Sequence, residues 1–277
     1  MVLGIDTCMS NSLMDPKLYG LQEGVLSALL NLNEPKFSTA KLCGGTALAR
    51  CWLNHRVSYD LDFFFPEGFS ALTFLVALKR GGIDFEVADI VDDKHKANQL
   101  HGFIAHKGER LKVSFIEDAY FNVYPATVEQ FGKLMVRTES TDGLYHRKLR
   151  TVSGRLSEGT EVIGGRQTAR DLFDLYVLSR SHKPIREFIA TIPYAFPSDA
   201  FDNGLSGMPW MELAEELQQI RCAAEWEKAK DISFLQDSLY AEIGATALDE
   251  FFQEDEADDN DEKSDLNGAL FGQRGRR

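Results

Sequence analysis

The sequence predicts an α+β fold, with a mixed β-sheet domain carrying packed helices followed by a helical domain. Three observations carry this reading. Runs of β-formers crowd the first half, helical periodicity takes over from Ser140, and an acidic stretch unable to build a core closes the chain. The expected division is a sheet domain over 1–138, a helical domain over 139–250 and an acidic, disordered tail over 251–277. A chain of 277 residues suits one large domain or two small ones, with a sizeable core.

The elements follow in order. Residues 21–32 place apolar side chains at helical spacing. Residues 37–43 read as a short strand that ends in Gly44-Gly45, and 46–53 read as a helix. Residues 57–65 are rich in β-formers. A helix near 70–80 precedes three strands over 84–91, 101–106 and 111–116, and 131–137 is a further strand. Residues 142–155 and 168–180 read as helices joined by a turn at Gly164-Gly165. More helical periodicity fills 185–250, interrupted by a Pro/Gly-rich loop over 193–209.

Charge is unevenly placed. The net charge is −13, from 30 Lys+Arg against 43 Asp+Glu, which argues at first against a partner held by its phosphates. Residues 249–265, however, hold ten acids and one lysine, so the rest of the chain carries only −4. Residues 133–186 reverse the sign, with eleven basic against six acidic side chains. A polyanionic partner therefore stays open, and the tail is a candidate competitor for that basic face.

Other classes are excluded. The N-terminus lacks the basic and apolar regions of a signal peptide, and the apolar run over 69–78 is too short to span a membrane. No membrane partner is expected, and the expected location is cytoplasmic. Cys8, Cys43, Cys51 and Cys222 are scattered without a C-x-x-C pair, which reads as buried reduced thiols. The six histidines include no H-E-x-x-H.

The strongest local signal is Ser58-Tyr59-Asp60-Leu61-Asp62-Phe63. On a strand Ser58, Asp60 and Asp62 share one face, while Tyr59, Leu61 and Phe63 point into a core. Two carboxylates roughly 7 Å apart along a strand can together hold paired Mg²⁺ ions. D-x-D alone favours an edge strand with a solvated face; the glycines upstream shift that balance. Gly44, Gly45 and Thr46 lie between a strand and a helix start, where backbone N–H groups and a hydroxyl can meet a phosphate. A Gly-Gly turn is otherwise simply a turn. Lys148 and Arg155 are seven apart, which puts them on one helical face, and Asp171 and Asp174 share another. Alone, the basic pair reads first as solvated helix-face charges, and the acids as helix capping and ion pairing with Arg170 or Arg166. Tyr145, Phe173 and Tyr176 read as core.

Taken together, these residues resemble a known family. Cys43-Gly44-Gly45-Thr46-Ala47-Leu48 with His55-Arg56-Val57-Ser58-Tyr59-Asp60-Leu61-Asp62 is similar to the opening signature of the AbiEii/AbiGii toxin nucleotidyltransferases, within the DNA polymerase β-like superfamily. Lys148-Leu149 leading to Arg155 resembles that family's K-L-x-x-x-x-x-R, and residues 170–176 resemble its R-D-x-x-D-L-Y. The four motifs span about half the chain in the expected order.

The resemblance implies a nucleotidyltransferase fold and transfer of a nucleoside monophosphate from an NTP, with Mg²⁺ (or Mn²⁺) as cofactor and pyrophosphate as leaving group. It implies a tRNA 3′ end as acceptor, a block of translation, and a cognate antitoxin in a type IV system. In this reading Asp60 and Asp62 bind metal, Gly44, Gly45 and Thr46 cradle phosphates, and Arg56, Ser58, Lys148 and Arg155 contact the triphosphate. Asp171 assists proton transfer or positioning, and Asp174 is structural. Where the superfamily often carries a third carboxylate this chain has Ser114, with Glu86, Glu117 or Asp118 as substitutes. The alternatives are a nucleotidyltransferase acting on a small molecule or a protein hydroxyl, and a weakly active or non-catalytic nucleotide-binding partner protein.

Overall fold

The computed structural model describes residue 13 and residues 15–242, apart from 33, 36, 94, 154, 157–161, 164–167 and 198. The tail and the Gly164-Gly165 turn expected from the sequence lie outside the described residues. The fold is α+β, built on a seven-stranded mixed sheet ordered β3-β4-β5-β2-β1-β7-β6. Its strands are β1 (Lys41–Cys43), β2 (Leu61–Phe65), β3 (Phe85–Val91), β4 (Gln99–His106), β5 (Glu109–Glu117), β6 (Ala126–Phe131) and β7 (Leu134–Glu139). β2 runs parallel to β5 and β1 runs parallel to β7, while the other neighbours are antiparallel.

β2 sits near the sheet centre because its alternate residues are strongly apolar. Leu61, Phe63 and Phe65 are buried, and the two phenylalanine rings pack with Phe37, Phe74 and Phe115 at centroid distances of 5.1–6.5 Å. Burying each such side chain contributes about 1.5–3 kcal/mol. The opposite face of the same strand is thereby fixed, and it carries Asp62 and Phe64.

α1 (Pro16–Leu30) is capped by Asp15, whose side chain accepts from the Leu18 N–H. Its Gln22 donates to the Ser58 carbonyl at 2.8 Å and so anchors the approach to β2. α2 (Gly44–Ala47) continues into a π-helical segment, Leu48–Leu53, which ends at Asn54 in the left-handed region. α3 (Ala71–Arg80) covers the sheet next. Then α4 (Thr141–Val152) and α5 (Ala169–Ser181) pack on each other. A two-residue hairpin, β8 (Arg155–Leu156) with β9 (Val162–Ile163), lies between them. The short helices α6 (Ile185–Ala190) and α7 (Ala200–Ser206) lead to α8 (Trp210–Gln218), a 3₁₀ turn at Ala224–Lys230, and a last helix over 232–242. Tyr145 and Phe173 are fully buried, with Tyr145 stacked on Phe188 at 4.1 Å, and Tyr176 packs against the core. Cys43 and Cys222 are buried free thiols, and Cys51 is free and half-buried. No helix among the described residues is long and apolar enough to cross a membrane.

Several expected elements change. Only Lys41–Cys43 of 37–43 is strand, after a 3₁₀ turn at Phe37–Thr39. Of 57–65 only Leu61–Phe65 is strand. Upstream the chain pairs instead with the C-terminal half, Arg56 bridging Cys222 and Val57 donating to the Arg221 carbonyl at 2.8 Å. The single strand expected over 131–137 is the turn and second arm of the β6–β7 hairpin, with Gly132 at φ +59°. α4 stops at Val152, so Arg155 lies on β8 and does not share a helical face with Lys148.

Candidate active site

A cavity of about 540 Å³ opens where β2, β4 and β5 meet α2, α4, α5 and α8. Gly44, Gly45, Arg56, Ser58, Asp60, Asp62, Lys148 and Asp171 all line it, so residues from four separate motifs converge there. Two candidates do not join them as expected. Thr46 is buried, and its hydroxyl donates to the Asp60 carbonyl at 2.5 Å, fixing the backbone between the two acids. The side chain of Arg155 lies outside the described residues.

The two glycines are required by close approach. Gly44 has φ +71°, and a Cβ there would stand 2.7 Å from Asp62 Oδ2. A Cβ on Gly45 would stand 2.4 Å from Arg56 Nη2 and 3.0 Å from Ser58 Oγ. Absent side chains thus leave the Asp62 carboxylate uncovered on its α2 side.

Asp62 is pushed up to about 6 by burial and by the charge of Asp60, while a hydrogen bond from Ser114 partly opposes the shift. Ser114 faces Asp62 directly in the parallel β2–β5 register. The position where a third acid was expected therefore supplies a donor to the second. None of its suggested substitutes lines the cavity. Glu86 pairs with Arg110, Glu117 accepts from the Gly68 and Asn98 N–H groups, and Asp118 pairs with Arg147 at 2.7 Å.

Across the cavity, Lys148 Nζ lies 2.6 Å from Asp171 Oδ1 and 2.7 Å from Asp174 Oδ2. Burial alone would depress this ammonium; Asp171 and Asp174 outweigh it and raise its pKa. The Thr168 hydroxyl donates to Asp171 Oδ2 at 2.6 Å. Burial would raise Asp171, but Lys148 and Thr168 hold it below its ordinary value. It stays ionised.

Asp174 is completely buried and gathers the cations. Arg56 donates to it twice, through Nε at 2.6 Å and Nη2 at 2.8 Å, and His55 Nε2 lies 2.7 Å from Oδ1. Burial would raise this carboxyl; Arg56 and Lys148 hold it well below the usual range. Burial depresses His55, so its neutral Nε2–H donates. Arg56 is thus fastened to Asp174 at the place where it lines the cavity.

The cavity also has residues that the motifs did not reveal. Arg147 lies over the Phe64 ring at 4.2 Å and is held by Glu139 and Asp118. Lys112 and His101 come from β5 and β4. Glu216 arrives from α8, where its Oε2 accepts the Ala169 N–H at 2.7 Å at the start of α5. Arg147 adjoined a recognised motif and was legible as a basic neighbour; Glu216 had no local signal.

Among curated proteins no relative matches the chain. Two solved Helicobacter pylori structures are similar. One is the protein JHP933, at 18% identity and a TM-score of 0.46, with 90% of this chain and 99% of that one covered. The other is described as a candidate nucleotidyltransferase, at 18% identity and a TM-score of 0.46, covering 83% and 94%. Residues 28–263, well over half the chain, match the family model for the nucleotidyl transferase AbiEii toxin of type IV toxin–antitoxin systems. With the four motifs brought to one cavity, the chain belongs to this AbiEii family of nucleotidyltransferase toxins.

Proposed function

We propose that the protein transfers a nucleoside monophosphate from an NTP to an RNA hydroxyl, the tRNA 3′ end, and so blocks translation in the cytoplasm until a cognate antitoxin counters it. The observation that carries this reading is the placement of Asp60 and Asp62 on one wall of a cavity and Lys148 on another. The sheet half, 1–138, brings the acids, and the helical half, 139–250, completes the site.

The residues fit a divalent cation. Two carboxylates two positions apart, one of them raised by burial and by the other, carry surplus negative charge that a hard cation neutralises. Among the described residues no group of three or more His, Cys, Asp or Glu side chains could hold a metal. A two-carboxylate set suits Mg²⁺, which fills its remaining positions with water and phosphate oxygens. Bound there, Mg²⁺ or Mn²⁺ supplies polarisation of the phosphate oxygens.

The chain's own residues do the rest. Asp60 and Asp62 hold the cation, and Gly44 and Gly45 leave room for phosphate beside them. Lys148, aimed by Asp171 and Asp174, stabilises the charge that grows on the leaving pyrophosphate. The ionised Asp171 positions Lys148; a carboxyl held this low is a poor proton acceptor. The Ser58 hydroxyl offers a further phosphate donor.

Incubation with total RNA and each of four α-labelled NTPs tests this reading. Label is expected in the tRNA fraction with Mg²⁺, and none with Asp60→Ala. Label on protein or small molecules only would replace the RNA acceptor. Mg²⁺-dependent NTP binding without any transfer would favour the non-catalytic alternative.

A further inference from the structure

A second cavity of about 230 Å³ adjoins the first and shares Arg56, Arg170 and Glu216 with it. Its own wall includes Tyr59 and Arg221. Alternation assigns Tyr59 to the core, yet its side chain stands 43% exposed, because β2 begins only at Leu61. We infer that this cavity receives a nucleobase of the acceptor strand, stacked on Tyr59, with Arg170 and Arg221 holding the neighbouring phosphates. The inference rests on the RNA reading above and names the subsite that reading needs.

Four features support it. The shared wall lets a strand lying in the smaller cavity deliver its end to the larger one, where Asp60 and Lys148 stand. The volume falls below the roughly 300 Å³ at which ordinary small-molecule pockets begin, so it suits one flat group and not a second NTP. Arg221 lines the same wall as Tyr59, which puts a guanidinium beside the ring. An exposed aromatic sharing a cavity with two exposed arginines is the composition that binds single-stranded nucleic acid through stacking and phosphate contacts. Glu216, the acid of this wall, has one carboxylate oxygen engaged by the Ala169 N–H, which limits its repulsion of phosphate. Arg221 keeps further N–H donors beyond the one, 3.1 Å from Asp15 Oδ2, that serves Asp15.

The wall is held in place by backbone. Val57 donates to the Arg221 carbonyl at 2.8 Å, and Ala223 donates to the His55 carbonyl at 2.9 Å. Main-chain pairing therefore ties Arg221 to the segment that leads into Tyr59.

The test uses the full chain, tRNA as acceptor and the NTP that labels it. Tyr59→Ala is expected to raise KM for tRNA roughly tenfold or more, the loss of one base–aromatic stack, with NTP binding measured in the absence of RNA unchanged. Tyr59→Phe should restore near wild-type KM, and Arg221→Ala should raise it with a shallower salt dependence. If wild type labels tRNA and Tyr59→Ala leaves its KM unchanged, the subsite is overturned while the RNA reading stands. If wild type labels no RNA, or labels protein instead, both fall.

Discussion

Asp174 is the residue on which the site's cations converge, and it touches none of the cavity itself. Removing its charge by Asp174→Asn leaves Arg56 and Lys148 buried without full compensation. The expected cost is about 3–5 kcal/mol, read as a lowered urea midpoint. Asp60→Ala should behave in the opposite way. It relieves repulsion on Asp62, so stability should stay within about 0.5 kcal/mol or rise, while nucleotide transfer is lost. A second residue-scale effect belongs to His146, pushed down to about 4 by burial and by Arg150 and Arg147, with Nε2 2.7 Å from the Tyr194 hydroxyl. Its folded pKa lies below its unfolded value of 6.5, so the unfolded chain takes up the proton first. The stability it supports is full above pH 6.5 and falls as pH drops towards 4, by about 2 kcal/mol after allowance for solvent screening. Urea titrations at several pH values should show a shallower decline for His146→Asn than for wild type. The D-x-D acids were legible as a pair from their spacing, and both line the cavity although Asp60 precedes β2. Tyr59 was misread because alternation holds only inside a strand, and its strand starts two residues later.

At the scale of elements, the strand–glycine–helix junction from β1 to α2 decides whether the carboxylates stay accessible. Gly44→Ala would force a Cβ into the left-handed region against Asp62 Oδ2. It should lose about 1–2 kcal/mol of stability and most transfer activity, measured by denaturation and by labelled-nucleotide incorporation. The pairing of β2 with β5 was not written in either strand, but it turns Ser114 into a donor for Asp62. The β6–β7 hairpin escaped notice because 131–137 is apolar enough to read as one strand, and Gly132 supplies the positive φ that lets it turn. α4 and α5 were visible from periodicity. That Lys148 bridges both acids of α5 depends on how the two helices pack.

For the whole molecule, charge is segregated by region: the basic stretch over 133–186 contrasts with the acids of 249–265. If the acidic segment competes with RNA, deleting 253–277 should tighten RNA binding at low salt, and the gain should fade as salt is raised. Equal affinities at every salt concentration would remove that role. The parts of the site that the sequence concealed come from far along the chain. Glu216 and the 221–223 segment meet residues 55–57 and 169 through pairings that no local pattern announces. Those long-range ties also bear on the order in which a ribosome releases the chain. Asp60, Asp62, Lys148 and Asp171 all emerge well before Glu216 and Arg221. The wall beside them therefore stays open until residues 216–221 have followed the motif residues out of the ribosome and closed onto them.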